Sequence, residues 1–268
     1  MAVPPQDEHD PAIWRRVWDD PIEDYEWDYL GQVILDTLLE EAGSPAGRRY
    51  IEVGSGSGRI SARLAALGAE TTLLDYQERA LALSRTMAEG QGIHHAAYLH
   101  GSMFDIPAEE ESFDVVWNAG VIEHYPFPRQ VTALAQMRRV LKCNGVLVTL
   151  NPYAGSLLHS LGKWLITRFI EYPFGDEVPI ATCAGMAQGA HLALDKEYSV
   201  GFVVLWVGAV KRLMLLPGGR VLTPLLTILN EALVSLDRSR TGPALRRLDR
   251  FLSRHLGGYL IVSVMHRA

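Results

Sequence analysis

The sequence predicts an α/β protein built on a doubly wound, mostly parallel sheet of seven strands, with an N-terminal helical segment and a C-terminal helical cap. Three observations lead there. Between residues 49 and 152 short apolar runs alternate with longer stretches of helical periodicity, and strands that alternate with helices pair in parallel through right-handed crossovers. The first run, "RYIEV", opens into a turn with glycine at every second position, Gly54, Gly56 and Gly58, before a helix begins. The last third of the chain adds two strand-like runs, enough to complete the sheet at one edge.

The elements follow in order. "YLGQVILDTLLEEA" reads as an amphipathic helix, and "RYIEV" as strand one by its length and flanks. "GRISARLAALGA" is a helix with Ile60, Leu64 and Leu67 on one stripe. "ETTLLD" is strand two, ending at Asp75, and "QERALALSRTMAEGQG" is a helix turning Leu81, Leu83 and Met87 inward, with Gly90 and Gly92 as stops. "AAYLHG" and "FDVVWNAG" are strands three and four, "VTALAQMRRVLKCNG" a helix ending at its glycine, and "VLVTLNP" strand five. Beyond Pro152, "SLLHSLGKWLITRFI" and "LTPLLTILNEALVSLDR" read as helices, "EYSVGFVVLWV" and "GGYLIVSVM" as strands. Ligands of such sheets bind outside the carboxyl ends of the strands, which points to Gly54, Asp75, Gly101 and Asn118.

Composition narrows the function classes. The 268 residues are 48% hydrophobic and 21% charged, ordinary for a globular chain, and the net charge is -6. A general nucleic-acid binder needs a surplus of Lys and Arg, so nucleic acid is not an expected partner. Cys143 and Cys183 stand outside any C-x-x-C pair, which suggests neither a metal centre nor a disulfide framework. The polar, acidic N-terminus does not read as a signal peptide. The longest uncharged apolar run, residues 200 to 210, is read as a buried strand. It falls short of the ~20 residues that cross a bilayer, so no integral membrane segment is expected. A cytoplasmic location follows as the expectation.

The glycine turn is the most informative stretch. A strand, a glycine-rich turn and a helix leave unpaired backbone N–H groups aimed at a ligand. The dinucleotide fingerprint is G-x-G-x-x-G, and a phosphate loop needs G-x-x-x-x-G-K-[ST]. This chain has G-x-G-x-G and no lysine, with Glu52 two residues ahead of the first glycine. An acid there suits a ligand ammonium or its water shell better than a pyrophosphate.

On these residues the chain resembles the class I S-adenosylmethionine-dependent methyltransferases. "IEVGSGSGRIS" is similar to their first motif, E/D-x-G-x-G-x-G, which implies cofactor contacts from Glu52, Gly54, Ser55, Gly56 and Gly58. "TLLDYQERAL" is similar to the second, which implies that Asp75 accepts the ribose hydroxyls and Tyr76 lies against the adenine. "LHGSMFDIP" resembles the third motif, with Ser102 where the family usually has Asp and Asp105 as the nearest substitute; the Met103 N–H would read the adenine ring. "FDVVWNAGVIEHYP" resembles the fourth, with Asn118 facing the methionine part of the ligand. "LNPY" follows strand five rather than strand four, so it does not match the N-P-P-Y of amino-group methyltransferases.

The resemblance implies three regions: a helical, aromatic lid segment over residues 1–48, a Rossmann-like core that binds S-adenosyl-L-methionine over 49–152, and cap helices with strands completing the sheet over 153–268. "EHY" is similar to the E-H-x of small-molecule methyltransferases, which makes His124 the candidate base and Glu123 its alternative or orienting partner. Trp18, Tyr25, Tyr29 and Tyr125 are the candidate acceptor contacts. The implied reaction is in-line methyl transfer to a small organic acceptor, hydrophobic or aromatic in view of the apolar cap. Two alternatives stand beside it: a lipid or quinone methyltransferase at a membrane surface, and a cofactor-binding module without turnover.

Overall fold

The computed structural model describes residues 14, 17–18, 27–168, 177–214 and 218–268. Helix α1 (Tyr29–Ala42) begins at Asp28, whose carboxylate accepts the Gly31 N–H, and ends at Gly43 with φ +74°. Strand β1 (Arg49–Val53) leads to α2 (Arg59–Ala66), β2 (Glu70–Asp75), α3 (Glu78–Gly90), β3 (Ala97–His100) and β4 (Phe113–Ala119). A short 3-10 turn (Ile122–His124) precedes α4 (Phe127–Val140) and β5 (Leu141–Pro152). Then come α5 (Leu157–Ile166), α6 (Ala184–Gly189), β6 (Leu192–Val200), α7 (Phe202–Met214), α8 (Thr223–Arg238), α9 (Gly242–Leu256) and β7 (Leu260–Arg267).

The seven strands form one sheet in the order β3-β2-β1-β4-β5-β7-β6. β1 pairs in parallel with β2 and β4, and β7 runs antiparallel to both β5 and β6. The central strands are buried on both faces, which is why they read as continuous apolar runs. Ile51, Val116 and Leu147 pack on one face with Leu134 and Met137 of α4 and Met186 of α6. Tyr50, Val115, Trp117 and Val148 pack on the other with Leu35 and Leu38 of α1 and Leu64 of α2.

Three local readings change. The run 200–210 is not a strand: β6 stops at Val200, Gly201 takes φ +81°, and Phe202 starts α7. The cause lies far away in sequence, because the Asp249 carboxylate accepts the N–H groups of Gly201 (3.0 Å) and Val203 (2.8 Å) and so caps a helix there. The helix read as running to Gly145 ends at Val140, and Leu141 already pairs with Phe113 in the sheet. The inward faces also shift. On α3 they are Ala80, Leu81, Ser84 and Ala88 rather than Leu83 and Met87, and Leu67 at the end of α2 is exposed.

Candidate active site

The glycine turn is shaped by three different neighbours. Gly54, Gly56 and Gly58 all have positive φ (+74°, +51° and +63°), a region that disfavours side chains. A Cβ on Gly54 would meet Val121 at 2.8 Å, one on Gly56 would meet the Trp18 ring at 2.8 Å, and one on Gly58 would run into Leu73 and into Ser84 at 2.9 Å. Gly58 is thus the place where α2 closes on β2 and α3, while Gly56 is the face that an aromatic ring covers.

Asp75 fixes this turn. Its Oδ2 accepts the Gly56 N–H and its Oδ1 the Gln77 N–H, both at 2.8 Å. A carboxylate has about four lone-pair sites, so capacity remains for further donors. Burial pushes its carboxyl up, opposed by the N–H bonds from Gln77 and Gly56. Glu52 is buried beside it and accepts the Ser61 hydroxyl at 2.6 Å; burial lifts its pKa to about 8. The Ser55 hydroxyl is buried with no hydrogen-bond partner among the described residues. The adenine-side candidates are more open. Tyr76 is 52% exposed, with its carbonyl accepting from His100, Ser102 accepts the Phe104 N–H, and Met103 belongs to the core.

A second cluster lies at the carboxyl ends of β4 and β5. Asn118 and Asn151 are fully buried on one sheet face, by the alternation of side chains through Thr149, and neither amide has a partner among the described residues. The Ser156 hydroxyl and the Glu123 Oε2 are likewise buried without partners among them. Leaving such a group unsatisfied costs ~1–3 kcal/mol, so each of these four residues is a candidate partner for a bound polar ligand. Glu123 Oε1 lies 3.8 Å from His124 Nε2, and the Trp14 ring stands edge-on to His124 with centroids 4.9 Å apart. Burial, with Glu177 nearby, raises the Glu123 pKa to about 8, while Lys163 pulls the other way.

Sequence reasoning missed the residues behind this pair. His159 Nε2 stands 3.2 Å from Glu177 Oε1, Lys163 donates to the Glu177 carbonyl at 2.7 Å, and the Val178 N–H bonds the Glu123 carbonyl at 3.1 Å. Burial works against the Glu177 charge, but the His159 bond and the charge of Lys163 outweigh it and hold the carboxyl low. His159 and Lys163 stand at i, i+4 on α5, a spacing the sequence does show, but nothing local links them to Glu177. Of the acceptor candidates, Trp18 lies on the glycine turn and Tyr125 packs edge-on to Phe104 at 4.9 Å. Tyr25 lies outside the described residues. Tyr29 is a correction: it is a core side chain packed with Val204 and Val234 where α1 meets the cap helices.

An acid-terminated β2, a glycine turn after β1 and a seven-stranded sheet with β7 inserted antiparallel define the fold of the class I methyltransferases. Residues 51–149 match the family described as a methyltransferase domain, and the chain carries a methyltransferase domain of the class I S-adenosylmethionine-dependent type. Among curated proteins it is similar to the ubiquinone biosynthesis O-methyltransferase of Roseobacter denitrificans, 34% identical over 46% of this chain and 51% of that protein. It is also similar to the protein of that name from Cereibacter sphaeroides, 33% identical over 52% of this chain and 58% of that one. The chain thus spans little more than half the length of these relatives. Among solved structures it is similar to a SAM dependent methyltransferase from Aquifex aeolicus (TM-score 0.50, 16% identity, 72% of this chain and 93% of that one). It is similar too to the [4+2]-cyclase SpnF (TM-score 0.55, 16% identity, 96% of this chain and 92% of that one). At such identities the likeness is one of fold, and a fold hosts several chemistries.

Proposed function

We propose that this chain transfers the methyl group of S-adenosylmethionine to a hydroxyl of a small organic acceptor by in-line displacement. The observation that carries the reading is Asp75, held by two backbone N–H groups at the end of β2 beside the Gly56 turn, with acceptor capacity left over. Glu52, Gly54, Ser55, Gly56, Gly58 and Asp75 would hold the cofactor's polar groups, Tyr76, Ser102 and Met103 its base, and Asn118 the end nearest the acceptor. The cofactor supplies a sulfonium-bound methyl group that is already activated. The protein then has to orient the acceptor and exclude water, and those two effects account for much of the rate.

Asn118, Asn151 and Ser156 present the hydrogen-bonding groups that would orient an acceptor. His124 or Glu123 would take the proton of its hydroxyl. The printed names of the relatives make a phenolic, quinone-class hydroxyl the first acceptor to assay, in keeping with the apolar cap. Calorimetry with S-adenosylmethionine, followed by an acceptor screen with labelled methyl groups, tests the reading. His124→Ala should lower turnover by about 10²–10⁴-fold with cofactor affinity nearly intact if His124 is the base. Tight cofactor binding without turnover on any acceptor would instead establish a binding module.

A further inference from the structure

Helix α9 is turned with its polar side inward. Its sequence spaces Leu245, Leu248, Leu252 and Leu256 as a helical stripe with Phe251 beside it, the side a globular domain ordinarily buries. The structure buries Gly242, Asp249 and Ser253 most deeply, with Leu245 and Leu252 half-buried beside them and the rest of the apolar side turned outward. Asp249 and Ser253 are held there because they cap α7: Asp249 takes the N–H groups of Gly201 and Val203, and the Ser253 hydroxyl takes that of Phe202 at 3.1 Å. Three otherwise unpaired donors at a helix start thereby fix the rotation of α9. In consequence Leu248, Phe251 and Leu256 stand 52%, 59% and 56% exposed.

Charge accompanies this apolar side. Asp249 is the one acid on α9 and it is buried, whereas Arg247 and Arg254 are exposed and make no ion pair among the described residues. Arg246 and Arg250 pair with Asp237 and Glu40. Residues 153–268 hold thirteen Lys or Arg against eight Asp or Glu, while residues 1–152 hold twelve against twenty-three, so the surplus cation charge of an acidic chain is gathered in its last part. Thirteen of the seventeen exposed large apolar side chains among the described residues lie on α5, α7, α8, α9 and the turn before α8.

We propose that the outward side of α9 docks on an anionic lipid surface. Leu248 and Phe251 enter the boundary between headgroups and acyl chains, and Arg247 and Arg254 meet the anionic headgroups. A basic helix with bulky apolar residues lies in the plane of such an interface, and it needs no spanning length; among the described residues no helix is long and apolar enough to cross a membrane. The gathering of positive charge on an otherwise acidic chain selects a negatively charged surface over a neutral apolar partner. This docking stands apart from the methyl-transfer reading and holds or fails without it.

Sedimentation of the full chain with vesicles tests it, using phosphatidylcholine alone and phosphatidylcholine mixed with phosphatidylglycerol. Binding to the mixed vesicles, weaker on phosphatidylcholine and declining with salt, is the expected result. Each arginine near the surface contributes about fivefold, so Arg247→Gln with Arg254→Gln should weaken binding about 25-fold. Leu248→Ser with Phe251→Ser should weaken it at least about tenfold with an unchanged thermal midpoint, and Leu67→Ser, an exposed leucine outside the cap, should change nothing. Equal binding to both vesicle types, or variants that bind as the parent does, would overturn the proposal. So would light scattering that shows a dimer which Leu248→Ser with Phe251→Ser converts to monomer, since a second copy would then own this face.

Discussion

Replacing Glu123 by Gln should stabilise the protein, and the gain should grow with pH. Burial places the Glu123 carboxyl near pH 8 against an ordinary 4.5, so the folded protein holds this proton at neutrality while the unfolded chain has released it. The stability contributed by the protonated acid is complete below about pH 4.5, where both states are protonated. It is lost progressively as pH rises through the folded value, because only the unfolded state ionises. Glutamine has the shape of the protonated acid and cannot ionise in either state. At 1.36 kcal/mol per pH unit, the parent should lose about 3 kcal/mol relative to Glu123→Gln between pH 4.5 and 7, and about 4 kcal/mol by pH 8, where the folded group is itself half ionised. Urea unfolding of both proteins at about pH 5, 6, 7 and 8 measures this. Glu52, raised to a similar value, is common to both proteins and cancels in the difference. A difference that stays constant with pH would refute a buried, neutral Glu123. The same variant has a kinetic signature: if Glu123 takes the acceptor's proton, turnover of the parent climbs through about pH 8 and that climb disappears in Glu123→Gln.

Asp75→Ala should weaken S-adenosylmethionine binding at least tenfold by calorimetry, since a hydrogen bond to a charged group contributes about 1.5–3 kcal/mol; a loss below twofold would place the ribose elsewhere. Gly58→Ala should destabilise the fold by about 2–4 kcal/mol in chemical denaturation, combining left-handed backbone strain with overlap on Leu73, and an unchanged midpoint would contradict the packing described. Asp249→Ala leaves the Gly201 and Val203 N–H groups without their cap and should cost about 2–4 kcal/mol, read as a fall in the thermal midpoint; a midpoint within a degree or two of the parent would show that α7 does not need it.

What the sequence made legible is what local spacing controls. The strands of the parallel core had apolar runs of the right length, and the order of runs and helices fixed that core; β6 had none, and only its last four residues fell within the run read as a strand. The glycine turn and Asp75 were visible because the backbone needs them at those positions. Three features could not be read. The run 200–210 has no internal signal separating strand from buried helix, and the decision is made by Asp249, some 48 residues downstream in the Gly201 hydrogen bond. The helix that carries Asp249 was not anticipated, although its leucines stand at helical spacing; which side it would bury could not be read, because the caps on α7 decide that. The Glu177, His159 and Lys163 group escaped for a related reason: His159 and Lys163 share one face of α5 at i, i+4 spacing, but the Glu177 that joins them comes from beyond that helix and meets them only in the fold.

Trp14 and Trp18 touch both halves of the site from one short stretch. The Trp18 ring occupies the space over Gly56 and the Trp14 ring stands against His124. Four positions of chain are too short a tether for the two rings to move independently. A ligand that lifts Trp18 from the glycine turn therefore tugs on the ring that shields His124. If the donor binds over Gly56 as proposed, its arrival and the unveiling of His124 would be one mechanical event, with the donor ahead of the acceptor. Indole emission would register that coupling as a single transition.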